Sequence, residues 1–243
     1  MSIGKLWAIA FISVLAEGCG GGGGGGNETG TAATYSFAAP KVNSQRIYAY
    51  STVDSLNSTI NQTVRDTITS VASDGSFTFV RDDPTGNSYD VNGTSYTTRT
   101  DLITENRSGQ TLSDSYSAGG VPVTCKVAPH GAGPDYPVSV GQTWSLSYAV
   151  TCGTAVPTSY AEAGSVIGVE AVTVPAGTFS AVKTQSTSTS TDPSGTTRTE
   201  SITTWRDIAT AAVVKRIINV AYSGTPLLHG YPVTTVSTLQ SQS

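Results

Sequence analysis

From about residue 35 onward, apolar side chains return every second position, and nowhere does a helical period last over eleven residues. A period of two places apolar residues on one face of an extended chain and polar ones on the other, so this region reads as strands. Val121, Val123, Cys125 and Val127 alternate in one segment; Trp144, Leu146, Tyr148, Val150 and Cys152 alternate in another. The residues between them are largely Ser and Thr, over a quarter of the chain, and Thr suits a pleated surface.

Turn chemistry divides the alternating region. Asp74-Gly75 stands between Val71 and the pair Phe77, Phe79, a hairpin signal; Asn92-Gly93, Ser108-Gly109 and Pro193-Ser194-Gly195 mark further reversals. Strands are expected at 45–51, 59–71, 95–105, 110–117, 121–127, 143–151, 166–174, 178–188, 196–206, 212–222 and 233–239. Short turns between successive strands make the expected fold class all-β. It is an antiparallel meander forming a curved sheet, a half-barrel or barrel, or a sandwich. Residues 35–243 form one domain in this reading. Two stretches repeat: 97–104 resembles 196–203, and 74–77 resembles 176–179, at spacings of 99 and 102. The domain is either two related halves, 35–118 and 134–243, or Thr-rich sequence matching itself by chance.

The first eighteen residues are of another kind. Lys5 and the terminal amine precede an apolar run from Leu6 to Ala16, too short to cross about 30 Å of hydrocarbon as a helix and typical of a secretion signal. Ala16-Glu17-Gly18-Cys19 then resembles the lipobox of bacterial lipoproteins, although Glu17 replaces the usual small spacer. The resemblance implies a diacylglycerol on Cys19, which becomes the mature N-terminus; ordinary signal cleavage after Gly18 is the alternative. Residues 19–34, with seven glycines at 20–26, bury nothing and form a tether of roughly 20 Å. Such a spacer has a purpose if Cys19 sits in a membrane. By the same resemblance, Gly20 after the cysteine implies the outer membrane.

Three cysteines fit this address. Lipid on Cys19 leaves Cys125 and Cys152, each on the apolar face of its strand, to pair in an oxidising compartment. Two buried free thiols are the other reading.

The motifs Val140-Gly141-Gln142-Thr143-Trp144, Val172-Thr173-Val174-Pro175-Ala176-Gly177-Thr178-Phe179, Thr204-Trp205 and Val214-Lys215-Arg216 resemble a group of uncharacterised bacterial envelope lipoproteins. That resemblance spans about the C-terminal half. It implies a curved antiparallel sheet or half-barrel in the cell envelope, and it brings no catalytic residues.

Chemistry is sparse. A net charge of -4 and thirteen scattered basic residues give no footprint for nucleic acid. His130 and His229 have no second ligand at metal spacing, so no cofactor is expected. Asp82, Asp83, Asn87 and Asp90 make an oxygen-rich loop that is a weak calcium candidate outside any EF-hand pattern. Ser180 and Lys183 match a Ser-x-x-Lys spacing that needs a helix, yet they lie in a strand. Glu170 and Glu200 are expected on the outward face, and Trp144 and Tyr148 in the core. Residues 184–192 and most of 57–73 are too polar on both faces for a transmembrane barrel. The expected function is a non-enzymatic, lipid-anchored envelope domain binding an apolar ligand, a peptide or another envelope protein. The alternative is a cell-wall or polysaccharide hydrolase whose acids assemble only in three dimensions.

Overall fold

A computed structural model describes residues 33–86, 88–91, 94–97, 99–118, 120–192, 195–224 and 231–243. The leader, Cys19, the glycine run, Asn87, Asn92-Gly93 and His229 lie outside the described residues. Every regular element is a strand. In chain order they are β1 (Thr34–Tyr35), β2 (Gln45–Asp54), β3 (Thr59–Val71), β4 (Phe77–Asp82), β5 (Ser88–Val91), β6 (Thr94–Thr97), β7 (Asp101–Glu105) and β8 (Thr111–Ala118). There follow β9 (Val121–Ala128), β10 (Val138–Ser139), β11 (Thr143–Cys152), β12 (Thr158–Val174), β13 (Gly177–Thr191), β14 (Thr197–Asp207), β15 (Val213–Ser223) and β16 (Pro232–Gln242).

Neighbours along the chain are neighbours in space. The ladder runs β2-β3-β4-β7-β8-β9-β11-β12-β13-β14-β15-β16, antiparallel throughout, and β16 returns to pair with β2. Twelve strands thus close an up-and-down barrel, and of the expected alternatives the sandwich is excluded. The β5–β6 hairpin hangs from the first residues of β3, where Ile60 pairs with Val91. Each turn follows from its residues. At Asp74-Gly75 the Asp74 carboxylate accepts the Ser76 amide at 2.9 Å, and Gly75 takes a φ of 85° that a side chain would resist.

The expected strand 95–105 is two elements. β6 pairs with β5, whereas β7 pairs with β4, so the chain changes partner between them. At the break the Arg99 guanidinium stacks on Tyr116 at 3.6 Å and ion-pairs with Asp101 and Asp114. The first half of β12, Ala- and Gly-rich, carries too little apolar alternation to be seen in sequence. Gly164 within it is required by contact: a Cβ there would lie 2.2 Å from the Trp144 ring.

Both repeated stretches fall on strands half a ring apart. Phe77 opens β4 and Phe179 lies at the start of β13; the other match covers β7 and β14; in each case the pair is six positions apart around the ring, with five strands between. A cut that splits the ring into two sets of six strands falls in the segment 129–142 between β9 and β11, with β9 in the first set.

Three apolar clusters hold the barrel. Ile68, Phe77, Phe79 and Ile103 pack between β3, β4 and β7. Val172 and Val174, at the tip of the long β12–β13 hairpin, pack with Tyr48, Trp205, Val214 and Leu239, and the Ala176 amide reaches the Leu239 carbonyl. Tyr136 and Val138, from the segment 129–142, pack with Val166, Val182, Tyr35 and Phe37 across the same end of the barrel. Cys125 and Cys152 stand directly opposite in register on β9 and β11 and form a disulfide.

Candidate functional site

Parity along each strand sets which side chains enter the lumen. On β2, Arg46, Tyr48 and Tyr50 share a face; across the ladder they meet Asp66, Val64 and Gln62 of β3. Asp66 in turn faces Arg81 of β4, and Phe77 of β4 faces Glu105 of β7. From the far wall come Arg206 of β14 and Arg216 of β15, with Ser237 of β16 between Arg216 and Tyr50. These residues line a cavity of about 50 Å³. One wall is aromatic and aliphatic, from Tyr48, Ile68, Phe77 and Phe79. The rest carries four guanidinium groups and two carboxylates.

The charges are unequally paired. Arg81 binds Asp66 through two parallel bonds of 2.8 Å each, the strongest arrangement such a pair has. Arg46 gives one N–H to the Thr210 carbonyl at 2.9 Å, and Arg206 gives one to the Ala211 carbonyl at 3.0 Å. Arg216 reaches only the Thr204 hydroxyl, at 3.3 Å through Nε. Among the described residues, neither Arg46, Arg206 nor Arg216 forms an ion pair. Arg81 keeps 33% of its side-chain surface although it faces the lumen, because it borders an internal space rather than packed core. Burial lowers the affinity of Arg216 for its proton; Tyr50 opposes this, and Arg206 and Arg81 add to it by repulsion. Burial likewise raises the Glu105 carboxyl above the usual range, against the pull of the three neighbouring arginines Arg206, Arg81 and Arg216.

Further along the lumen the charges are matched. Arg198 ion-pairs with Glu200, and Tyr148 stacks on Tyr160 with ring centroids 4.9 Å apart. Glu162 accepts from the Trp144 indole and the Gly133 amide. Asp101 is pushed up to about 6, chiefly by burial and then by Asp114, while Arg99 pulls it down.

The expected outward position of Glu200 is therefore wrong. Its side chain is 14% exposed and shares the lumen with Arg198. The strand carries Ile202 on the parity of Glu200 and Trp205 on the other, so alternation alone does not fix which face points inward. Glu170 does lie on the surface, accepting from the Trp205 indole and from Lys183. Trp144 packs beside Val166 and Val182 in the core, as its alternation implied. Ser180 is exposed, and Lys183 turns to Glu170, so the Ser-x-x-Lys pair does not assemble. His130 stands 3.7 Å from Asp135.

Of the oxygen-rich loop, Asp82 is held by Arg65 through bonds of 2.9 and 2.6 Å, and Asp83 accepts the Thr85 amide and hydroxyl. Their carboxylates serve different partners. Among the described residues no three His, Cys, Asp or Glu side chains gather as metal ligands would.

The arginine cavity was not anticipated, yet it left a trace. Arg46-x-Tyr48-x-Tyr50, Phe77-x-Phe79-x-Arg81 and Ile103-x-Glu105 each place an ionisable residue in phase with buried ones. An ion on the core parity of a strand is a lumen residue.

No family model and no curated protein matches the chain. Its backbone is similar to that of a Bacteroides fragilis protein with a YmcC-like fold, at 12% identity and a TM-score of 0.48, covering 87% of this chain and 100% of that one. It is also similar to the hypothetical lipoprotein YmcC of Escherichia coli, at 12% identity and a TM-score of 0.44, covering 82% and 84%.

Proposed function

We propose that this chain is a non-enzymatic domain of the bacterial cell envelope, held at the outer membrane by lipid on Cys19, which binds its ligand without transforming it. The observation that carries this reading is where the tether arrives. β1 pairs with β10 across the barrel end that holds the arginine cavity, and Phe37 lies 5.6 Å from the Arg206 guanidinium. An anchor on the preceding residues would present that end to the membrane surface.

The wall of the barrel supports attachment by lipid rather than by immersion. Thr187 and Thr189 of β13 stand beside Ser201 and Thr199 of β14 on the face away from the lumen, a surface that hydrocarbon would not solvate. Of the three ligand classes expected, an apolar guest fits least, since it would strip water from unpaired guanidiniums and return no hydrogen bond. A polar ligand or the polar surface of another envelope protein fits better.

Metabolic labelling tests the anchor. Wild-type chain should incorporate palmitate and pellet with membranes, and Cys19→Ser should do neither. Mature wild-type protein in the aqueous fraction with a free Cys19 thiol would overturn the reading. The hydrolase alternative draws on Asp101, whose carboxyl is pushed up to about 6 by burial and then by Asp114. It requires that wild-type protein release fragments from purified cell wall and that Asp101→Asn abolish the release.

A further inference from the structure

We propose that the lumen cavity at the tethered end is a binding site for a dianionic oxyanion of the phosphate class, gripped by Arg46, Arg206 and Arg216 with Arg81 behind them. This deepens the binding reading above by naming the ligand chemistry, and it stands apart from the lipid anchor.

Charge balance is the first ground. Four guanidiniums face two carboxylates around a space of about 50 Å³. The Arg81–Asp66 pair cancels itself. Glu105 offsets one of the remaining three cations, so two positive charges stand uncompensated. Buried like charges repel one another strongly, and an ion of charge near -2, such as a phosphate group at neutral pH, removes that repulsion.

Donor geometry is the second. Arg46 and Arg206 each spend one N–H on the turn at 208–212, which fixes the guanidinium planes; both residues line the cavity, and among the described residues neither meets a further acceptor. Among the described residues the Nη groups of Arg216 meet no acceptor. A guanidinium fork matches two oxygens of a phosphate, and several forks converging on one tetrahedral ion use all of its oxygens. Ser237 and Tyr50, in register with Arg216, bring two hydroxyls to the same side.

Size is the third. The space is several times the roughly 10–15 Å³ that one water needs on the same measure, a size suited to one small oxyanion rather than a whole nucleotide. The bound group is thus free phosphate or the terminal phosphate of a larger molecule that stays outside.

The full chain carrying Cys19→Ser gives a soluble sample whose result does not depend on the anchor. Calorimetric titration and thermal unfolding at pH 7.5 are run with inorganic phosphate, with glycerol 3-phosphate, and with chloride at matched ionic strength. Phosphate should raise the melting temperature by several degrees where chloride does not. Binding of both phosphates points to a terminal phosphate on a larger ligand, and binding of inorganic phosphate alone points to the free ion. Arg216→Ala should weaken phosphate at least ten-fold. Should that variant fail to fold, Ser237→Asp decides: a carboxylate opposite Arg216 should raise the melting temperature of the free protein and abolish the response to phosphate. An equal shift with chloride, no binding of either phosphate, or an undiminished phosphate response in Ser237→Asp would refute the site.

Discussion

Reducing the Cys125–Cys152 bond should cost this barrel about 3.5 kcal/mol. The two residues are 27 apart in sequence. The loss of denatured-state entropy on closing such a loop, about 12 cal/mol/K, corresponds to that free energy near 25 °C. The loop is not idle chain. It holds β10 and the segment with Tyr136 and Val138, which packs across the cavity end of the barrel, so reduction gives the denatured chain freedom in a segment that the folded state orders. The comparison is best made on one sequence, Cys19→Ser, oxidised against reduced, because no side-chain volume changes. With a urea slope of about 2 kcal/mol/M, the midpoint should fall by between roughly 1.5 and 2 M on reduction. Cys125→Ala/Cys152→Ala should fall somewhat further, since Cys125 is buried and its loss leaves a cavity. A midpoint shift below about 0.5 M on reduction, with an unchanged slope, would refute the reasoning. It would mean that the β9–β11 ladder alone already confines this loop.

Two further outcomes are expected. Gly164→Ala places a methyl group 2.2 Å from the Trp144 ring, so the indole must leave its packing and its bond to Glu162; denaturant unfolding should register a loss of about 2 kcal/mol, and Trp fluorescence should shift to the red. For Asp101 the folded carboxyl binds its proton more tightly than the unfolded one, so its contribution is fully present below about pH 4 and is lost as pH rises through about 6. After discounting for solvent screening the span is about 1–2 kcal/mol. Asp101→Asn should therefore flatten stability between pH 4 and 7, which urea titrations at a series of pH values would read.

Most of the fold was written in the alternation. β11 runs where a period of two places it, because Trp144, Leu146, Tyr148 and Val150 share one face; β3, β15 and β16 run where apolar residues recur between turn signals. Closure was not written there, since a sandwich and a barrel place the same demand on each strand. The pairing of Ser237 with Tyr50, 187 residues apart, is a fact about the ring alone. The site was half legible. Arg46 and Arg81 stood in phase with Tyr48 and Phe79, but their convergence with Arg206 and Arg216 depends on which strands face one another across the lumen. Glu200 was misplaced because Ile202 and Trp205 put apolar side chains on both faces of its strand, so the phase was ambiguous. Asp101 and Asp114 were passed over because the turn at Arg99 lay hidden within an apparently continuous strand.

The joint between β16 and β2 has a consequence for biogenesis. Gln45 and Ser243 exchange backbone hydrogen bonds of 3.2 and 3.0 Å, so the ring is sealed by joining two segments from opposite ends of the domain. Until β16 pairs with β2, a partly folded chain carries two bare sheet margins. During that interval the margins are open to pairing with any other extended chain. A folding rate set by the docking of Pro232–Gln242 onto Gln45–Asp54 is what such a topology demands.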